Sequence, residues 1–150
     1  MRNVLTAGVT AAIVVTLATA AIALAKPSAR PATVTTGRTA LGQIVVDGHG
    51  RSLYLFEKDS KGHSACSGVC VAYWPPLLTS GKTIALKGAR ASLLGSVHRA
   101  DGSRQVTYAG HPLYFFSGDA RRGQTNGQGL TDFGAGWYVV TPAGKKIDRD

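Results

Sequence analysis

The sequence predicts an all-β protein: a compact antiparallel β domain built from two related halves, following an N-terminal signal segment. Three observations carry this. Short runs rich in Val, Ile, Tyr, Phe and Trp are separated by turns of two to four residues. Such spacing joins antiparallel neighbours and is too short for βαβ crossovers. A strand motif returns after 60 residues, and every aromatic residue lies between Tyr54 and Tyr138, so the core must form there.

The elements follow in order. Arg2 precedes an uncharged run over residues 4–25 that ends in Ala23-Leu24-Ala25, before Lys26 and Pro27. A basic start, an apolar stretch and a small-x-small site describe a secretory signal peptide, cleaved after Ala25. The same run is long enough to stay as a membrane anchor through residues 4–25, so both readings stand. Residues 26–40 hold Val34 as their one large apolar residue short of Leu41, and they read as a flexible linker. Residues 41–150 read as a single β domain, with halves of about 41–90 and 91–150.

Within that domain, residues 41–46 are strand-like and Asp47-Gly48-His49-Gly50 supplies turn chemistry. Residues 52–57 form the next strand. Residues 97–99 and 104–108 flank Ala100-Asp101-Gly102-Ser103, a hairpin signal because Asp-Gly accepts positive φ. Ala109-Gly110 turns the chain into a strand at 111–116. Residues 136–141 form another, and Pro142-Ala143-Gly144 turns toward 145–147. Residues 84–94 are the one helix-like stretch, weakened by Gly88.

The repeat organises this body. Leu53-Tyr54-Leu55-Phe56-Glu57-Lys58-Asp59 returns as Leu113-Tyr114-Phe115-Phe116-Ser117-Gly118-Asp119, and Trp74 and Trp137 follow the two Asp residues. Alternation puts Tyr54 and Phe56 on one strand face and Leu53 and Leu55 on the other. Large apolar residues on both faces describe a central strand. Asp59 and Asp119 stand where strand gives way to polar loop, where a carboxylate accepts backbone N–H groups and holds the loop. The functional alternative is a carboxylate pair brought together by the two halves.

These residues resemble a bacterial secreted repeat family, described as lipoproteins with a Tyr-x-(Phe/Trp/Tyr)-x-x-Asp motif. Cys66-Ser67-Gly68-Val69-Cys70 with Trp74-Pro75-Pro76-Leu77 is similar to its first half. Asn126-Gly127-Gln128-Gly129 with Gly136-Trp137-Tyr138-Val139-Val140 is similar to its second. The resemblance covers roughly residues 41–147, and its motif residues are Tyr54, Phe56, Asp59, Trp74, Tyr114, Phe116, Asp119 and Trp137. It implies the fold and export, and implies no biochemical activity. Lipidation needs a Cys at the new N-terminus, and neither Cys lies before residue 66, so any anchoring differs from that of lipidated members.

The chemistry-bearing candidates are few. Cys66 and Cys70 are the only cysteines. In an exported protein the pair reads as a local disulfide. His63 completes His-x-x-Cys-x-x-x-Cys, a metal or redox site if the thiols stayed reduced. The chain has no Gly-x-Ser-x-Gly, His-Glu-x-x-His or Walker pattern. No cofactor is expected.

The 150 residues carry seventeen Lys and Arg against eight Asp and Glu, a net +9 that becomes +8 when Arg2 leaves with the signal. Two cysteines exclude a multi-disulfide miniprotein, and a single apolar run excludes a polytopic membrane protein. The surplus points to anionic envelope polymers or a membrane surface as partners. Nucleic acid is not expected, because no recognition motif accompanies the charge. Oligomeric state stays open. The expected function is an exported cell-envelope β domain of unknown biochemical activity, acting as a non-enzymatic binding or interaction module. Its rivals are a metal or redox protein using His63, Cys66 and Cys70, and a hydrolase using Asp59 and Asp119.

Overall fold

A computed structural model describes residues 30–148. The signal segment expected at 1–25 lies outside them. The strands are β1 (Thr33–Thr39), β2 (Gly42–Asp47), β3 (Tyr54–Phe56), β4 (Ile84–Ala85), β5 (Leu94–His98), β6 (Arg104–Tyr108), β7 (His111–Pro112), β8 (Thr131–Asp132) and β9 (Ala135–Val139). One short helix, α1 (Val69–Tyr73), and a 3-10 turn at Ala91–Leu93 complete the chain.

The strands form three small sheets, ordered β2-β1-β4, β3-β9-β8 and β5-β6-β7. All pairings are antiparallel except β1 with β4, which run parallel where Thr33 meets Ile84 and Val34 meets Ala85. Bridges between Tyr54 and Tyr114, and between Leu78 and Gln105, stitch the sheets together. β3 is therefore flanked on both sides, by β9 and by the chain at Tyr114.

The alternation along β3 sorts its residues into two cores. Leu53 and Leu55 pack with Val34, Val45, Val106, Leu113 and Val140. Tyr54 and Phe56 pack with Ile44, Val46, Trp74, Tyr114, Trp137 and Val139. Neighbours in sequence such as Val45 and Val46 fall into opposite cores for the same period-two reason. Each such side chain contributes about 1.5–3 kcal/mol by leaving water, so both cores depend on keeping this register.

Three expectations are corrected. The linker expected at 26–40 instead contains β1, which pairs with β2 from Val34 opposite Asp47 to Thr39 opposite Gly42. Its four Thr residues are β-branched and suit a pleated strand. Val34 is fully buried in a core that other strands supply. The apolar content of the segment alone thus understated its order.

The helix expected at 84–94 is instead β4, a turn and the 3-10 turn. Gly88 adopts a left-handed φ of 87°, and the Thr36 side chain occupies the space a Cβ would need. The strand expected at 111–116 is regular only at β7. Beyond β7 its pairing is split between strands and loop: Leu113 N–H bonds to the Val106 carbonyl of β6 at 3.0 Å and Tyr114 pairs with Tyr54 of β3, while Phe115 N–H bonds to the Pro75 carbonyl at 2.8 Å and Leu77 N–H to that of Leu113 at 2.9 Å.

Candidate functional site

The two copies of the motif meet at a local two-fold axis. Tyr54 and Tyr114 exchange both backbone hydrogen bonds, Tyr54 N–H to the Tyr114 carbonyl at 2.9 Å and Tyr114 N–H to the Tyr54 carbonyl at 3.0 Å. A pair that exchanges both bonds in antiparallel strands places its side chains on one face. After each strand the chain turns the same way. Asp59 N–H bonds to the Phe56 carbonyl at 3.0 Å and Asp119 N–H to the Phe116 carbonyl at 3.1 Å. The three-residue spacing from Phe to Asp is the length of that turn.

Each Asp then reaches across to the other half. The Tyr54 hydroxyl donates to Asp119 Oδ2 at 2.6 Å, and the Tyr114 hydroxyl donates to Asp59 Oδ2 at 2.9 Å. The remaining oxygens hold the loops: Asp59 Oδ1 accepts Ala65 N–H at 2.7 Å, and Asp119 Oδ1 accepts Asn126 N–H at 2.9 Å. Each carboxylate is thus bonded to the tyrosine of the opposite half and not to the other carboxylate.

The aromatic rings follow the same symmetry. Phe56 stacks on Trp137 with centroids 4.0 Å apart, Trp137 on Trp74 at 3.9 Å, and Trp74 meets Phe116 at 4.5 Å. Each Phe therefore packs on the Trp of the other half. Tyr54 stands edge-on to Trp74 at 5.3 Å, and Tyr114 edge-on to Trp137 at 5.1 Å. Both geometries are favoured by ring quadrupoles. Gly127 lets the stack close, because a Cβ there would lie 2.7 Å from the Trp74 ring.

Burial sets the electrostatics. It pushes both motif phenols well above the usual tyrosine range, with Asp119 adding to the effect at Tyr54 and Asp59 at Tyr114. Both stay protonated donors. Burial also pushes the Asp59 carboxyl up to about 6, against the pull of the Ala65 N–H, the Tyr114 hydroxyl and the Arg99 charge.

A side-chain network drawn from both halves surrounds the Tyr114–Asp59 bond. Ser64 Oγ lies 2.6 Å from the Tyr114 hydroxyl. Arg99 donates to Ser64 Oγ at 2.8 Å, Gln105 Oε1 at 2.6 Å and the Cys66 carbonyl at 2.7 Å. Gln105 is fully buried and donates to the Leu113 carbonyl at 2.8 Å. Next to this network lies an open cavity of about 400 Å³ lined by His63, Ser64, Cys66, His98, Arg99 and Asp101, among others. Ser64, Arg99 and Gln105 carried no sequence signal, since nothing in their neighbourhoods distinguishes them from surface polar residues.

Cys66 and Cys70 form a disulfide, both sulfurs buried, at the start of α1. Trp74 follows directly, its N–H bonded to the Cys70 carbonyl at 2.8 Å. The staple thus seats the tryptophan at the centre of the stack. In the disulfide neither sulfur is a thiolate, so His63 has no thiolate partner for a metal. Among the described residues no group of three or more His, Cys, Asp or Glu is placed to hold a metal ion.

Two repeats sharing one aromatic stack and a reciprocal pair of Tyr–Asp bonds define a two-repeat β domain with its signature residues inside. The family described as a secreted repeat of unknown function matches at residues 35–78 and again at 95–141, more than half of the chain. The chain belongs to this family. The two matched segments each contain one copy of the motif, and the first begins inside β1. No curated protein and no solved structure matches the chain. Among the described residues no helix is long and apolar enough to cross a membrane.

Proposed function

We propose that the chain is a non-enzymatic binding module of the cell envelope whose partners are anionic envelope polymers. Membership of a family described as secreted supports export. One observation carries the reading: among the described residues exposed bases far outnumber exposed carboxylates, and most carboxylates are engaged by groups of the chain itself. Asp47 accepts the N–H groups of His49 and Arg51, Asp59 and Asp119 hold the two motif latches, and Asp101 binds Ser103. Glu57 and Asp148 share Lys146. Arg38, Lys61, Lys82, Lys87, Arg104 and Arg121 are exposed. The exposed surface is therefore predominantly positive.

The test passes exported protein over immobilised polyphosphate, polygalacturonate and neutral dextran. Screening falls from about 10 Å at 0.1 M salt to about 3 Å at 1 M. Retention on the anionic polymers at low salt, released at high salt, is the expected result. Equal passage over charged and neutral supports overturns the reading. Hydrolytic turnover abolished by Asp59→Ala or Asp119→Ala replaces it with the hydrolase. Free thiols on exported protein reopen the metal or redox reading through His63, Cys66 and Cys70.

A further inference from the structure

The hairpin joining β8 to β9 has an unusual tip. Its two loop residues are Phe133 and Gly134, with φ of 57° and 92°. Two left-handed residues make the mirror-image turn that suits the twist of paired strands. Gly is at home there. Phe is not, because its Cβ crowds the backbone in the left-handed region, which Asn, Asp or Gly normally fill. Among the described non-glycine residues only Ala109 shares this conformation. Phe133 also leaves 39% of its surface exposed. The position thus bears backbone strain and presents an apolar ring to water, a combination that marks sites of contact more often than packing.

The ring is not alone. Tyr73, at the end of α1 and 53% exposed, meets Phe133 with centroids 6.0 Å apart and planes tilted by 46°. Together they form a shallow open wedge. Beneath it both residues are tied to the buried stack. Tyr73 precedes Trp74, and its carbonyl accepts Ser117 N–H at 2.8 Å. Trp137 Nε1 donates to the Asp132 carbonyl at 3.0 Å, and Trp137 N–H to that of Leu130 at 2.9 Å. The wedge is therefore preorganised, which lowers the ordering entropy lost on binding. Lys58 brings a positive charge to the tip, its ammonium 3.4 Å from the Phe133 carbonyl.

We propose that Tyr73, Phe133 and Lys58 form a stacking subsite for one sugar ring of an acidic polysaccharide. The C–H face of the pyranose lies on the two rings, and its uronate carboxylate faces the Lys58 ammonium. The inference rests on the anionic-polymer reading and narrows it. A polyphosphate satisfies the positive field but has no C–H face to stack. A neutral glycan has the face but no use for Lys58. A lipid chain needs a deeper apolar surface than an open wedge with a lysine at its edge.

The experiment compares full-length exported wild type, Phe133→Gly, Tyr73→Ser and Lys58→Gln on polygalacturonate, polyphosphate and anionic phospholipid vesicles. Phe133→Gly removes the ring and the strain together, so the fold should melt no lower than wild type. Phe133→Gly and Tyr73→Ser are each expected to weaken polygalacturonate binding about tenfold, with polyphosphate binding unchanged. Lys58→Gln is expected to weaken polygalacturonate binding severalfold more than it weakens polyphosphate binding. Wild-type affinity of Phe133→Gly or Tyr73→Ser for polygalacturonate overturns the subsite. So does an equal loss on vesicles, which would make the wedge a membrane contact, or a concentration-dependent dimer lost in the variants, which would make it a self-interface. Failure of wild type to bind polyphosphate in a salt-dependent way sinks the broader charge reading instead, and the two failures are separately visible.

Discussion

Tyr54→Phe isolates the latch between the two halves. The change removes one oxygen and leaves the ring, so the contact with Trp74 at 5.3 Å is kept. The buried Asp119 carboxylate loses its 2.6 Å donor and retains only the Asn126 N–H at 2.9 Å. The buried Gly127 N–H loses its acceptor, 3.3 Å away. A hydrogen bond to a charged group is worth about 1.5–3 kcal/mol, and an orphaned buried partner keeps its desolvation penalty. The expected loss is about 2–3 kcal/mol, or about 8–12 °C in Tm for a domain of this size. Tyr114→Phe should lose less, about 1 kcal/mol, because Asp59 is only half-buried and water can replace the hydroxyl. The assay is reversible denaturation of Tyr54→Phe, Asp119→Asn and the double variant. Their cycle should show a coupling of about 1 kcal/mol or more. A Tyr54→Phe loss below about 0.5 kcal/mol, the scale of ordinary surface changes, or a coupling near zero, would refute the claim that this bond joins the halves.

Other outcomes follow from the same geometry. The Asp59 carboxyl rises from 3.8 to about 6 on folding, so between these values the folded chain holds a proton that the unfolded chain releases. Stability should therefore fall as pH rises through that window and level off above it, by about 1 kcal/mol once the exposed part of the group is discounted for screening. Denaturation midpoints at pH 4 and pH 7 should show this slope in wild type and lose it in Asp59→Asn. Reducing the Cys66–Cys70 disulfide opens a five-residue ring and should cost about 2 kcal/mol by loop entropy. Urea titration with and without reductant measures it, together with a change in Trp74 fluorescence. Gly127→Ala drives a methyl against the Trp74 and Phe116 rings at 2.7 and 3.0 Å and should destabilise by about 1–3 kcal/mol. A variant as stable as wild type would mean the stack is looser than its spacing implies.

Much of the fold was legible because strand signals are local. The period of two along residues 53–56 divides them between cores whatever else the chain does. Turn residues such as Asp101-Gly102 announce themselves by the φ they tolerate. What escaped was order supplied from elsewhere. β1 has too little apolar surface to predict itself, and it is held by pairing with β2 and by a core built from later strands. Arg99 is a surface residue by type. It becomes structural because Ser64 and Cys66 of one loop and Gln105 of β6 are brought to it together.

By itself the sequence determined the all-β class, the two halves and the repeated motif residues of each: Tyr54, Phe56, Asp59 and Trp74, then Tyr114, Phe116, Asp119 and Trp137. It also determined the placement of a single local disulfide, because Cys66 and Cys70 have no other partner. Only the tertiary structure decided how the halves are joined. Each Asp serves the other half's Tyr and each Phe the other half's Trp, across 42 to 81 residues of chain. Spacing within a motif reports what one strand and its turn will do, since those depend on neighbouring dihedrals. Which copy a side chain finally touches depends on how two sheets approach, and contacts between distant residues leave no mark on local spacing. The same holds for the wedge of Tyr73 and Phe133, brought together from a helix and a hairpin 60 residues apart.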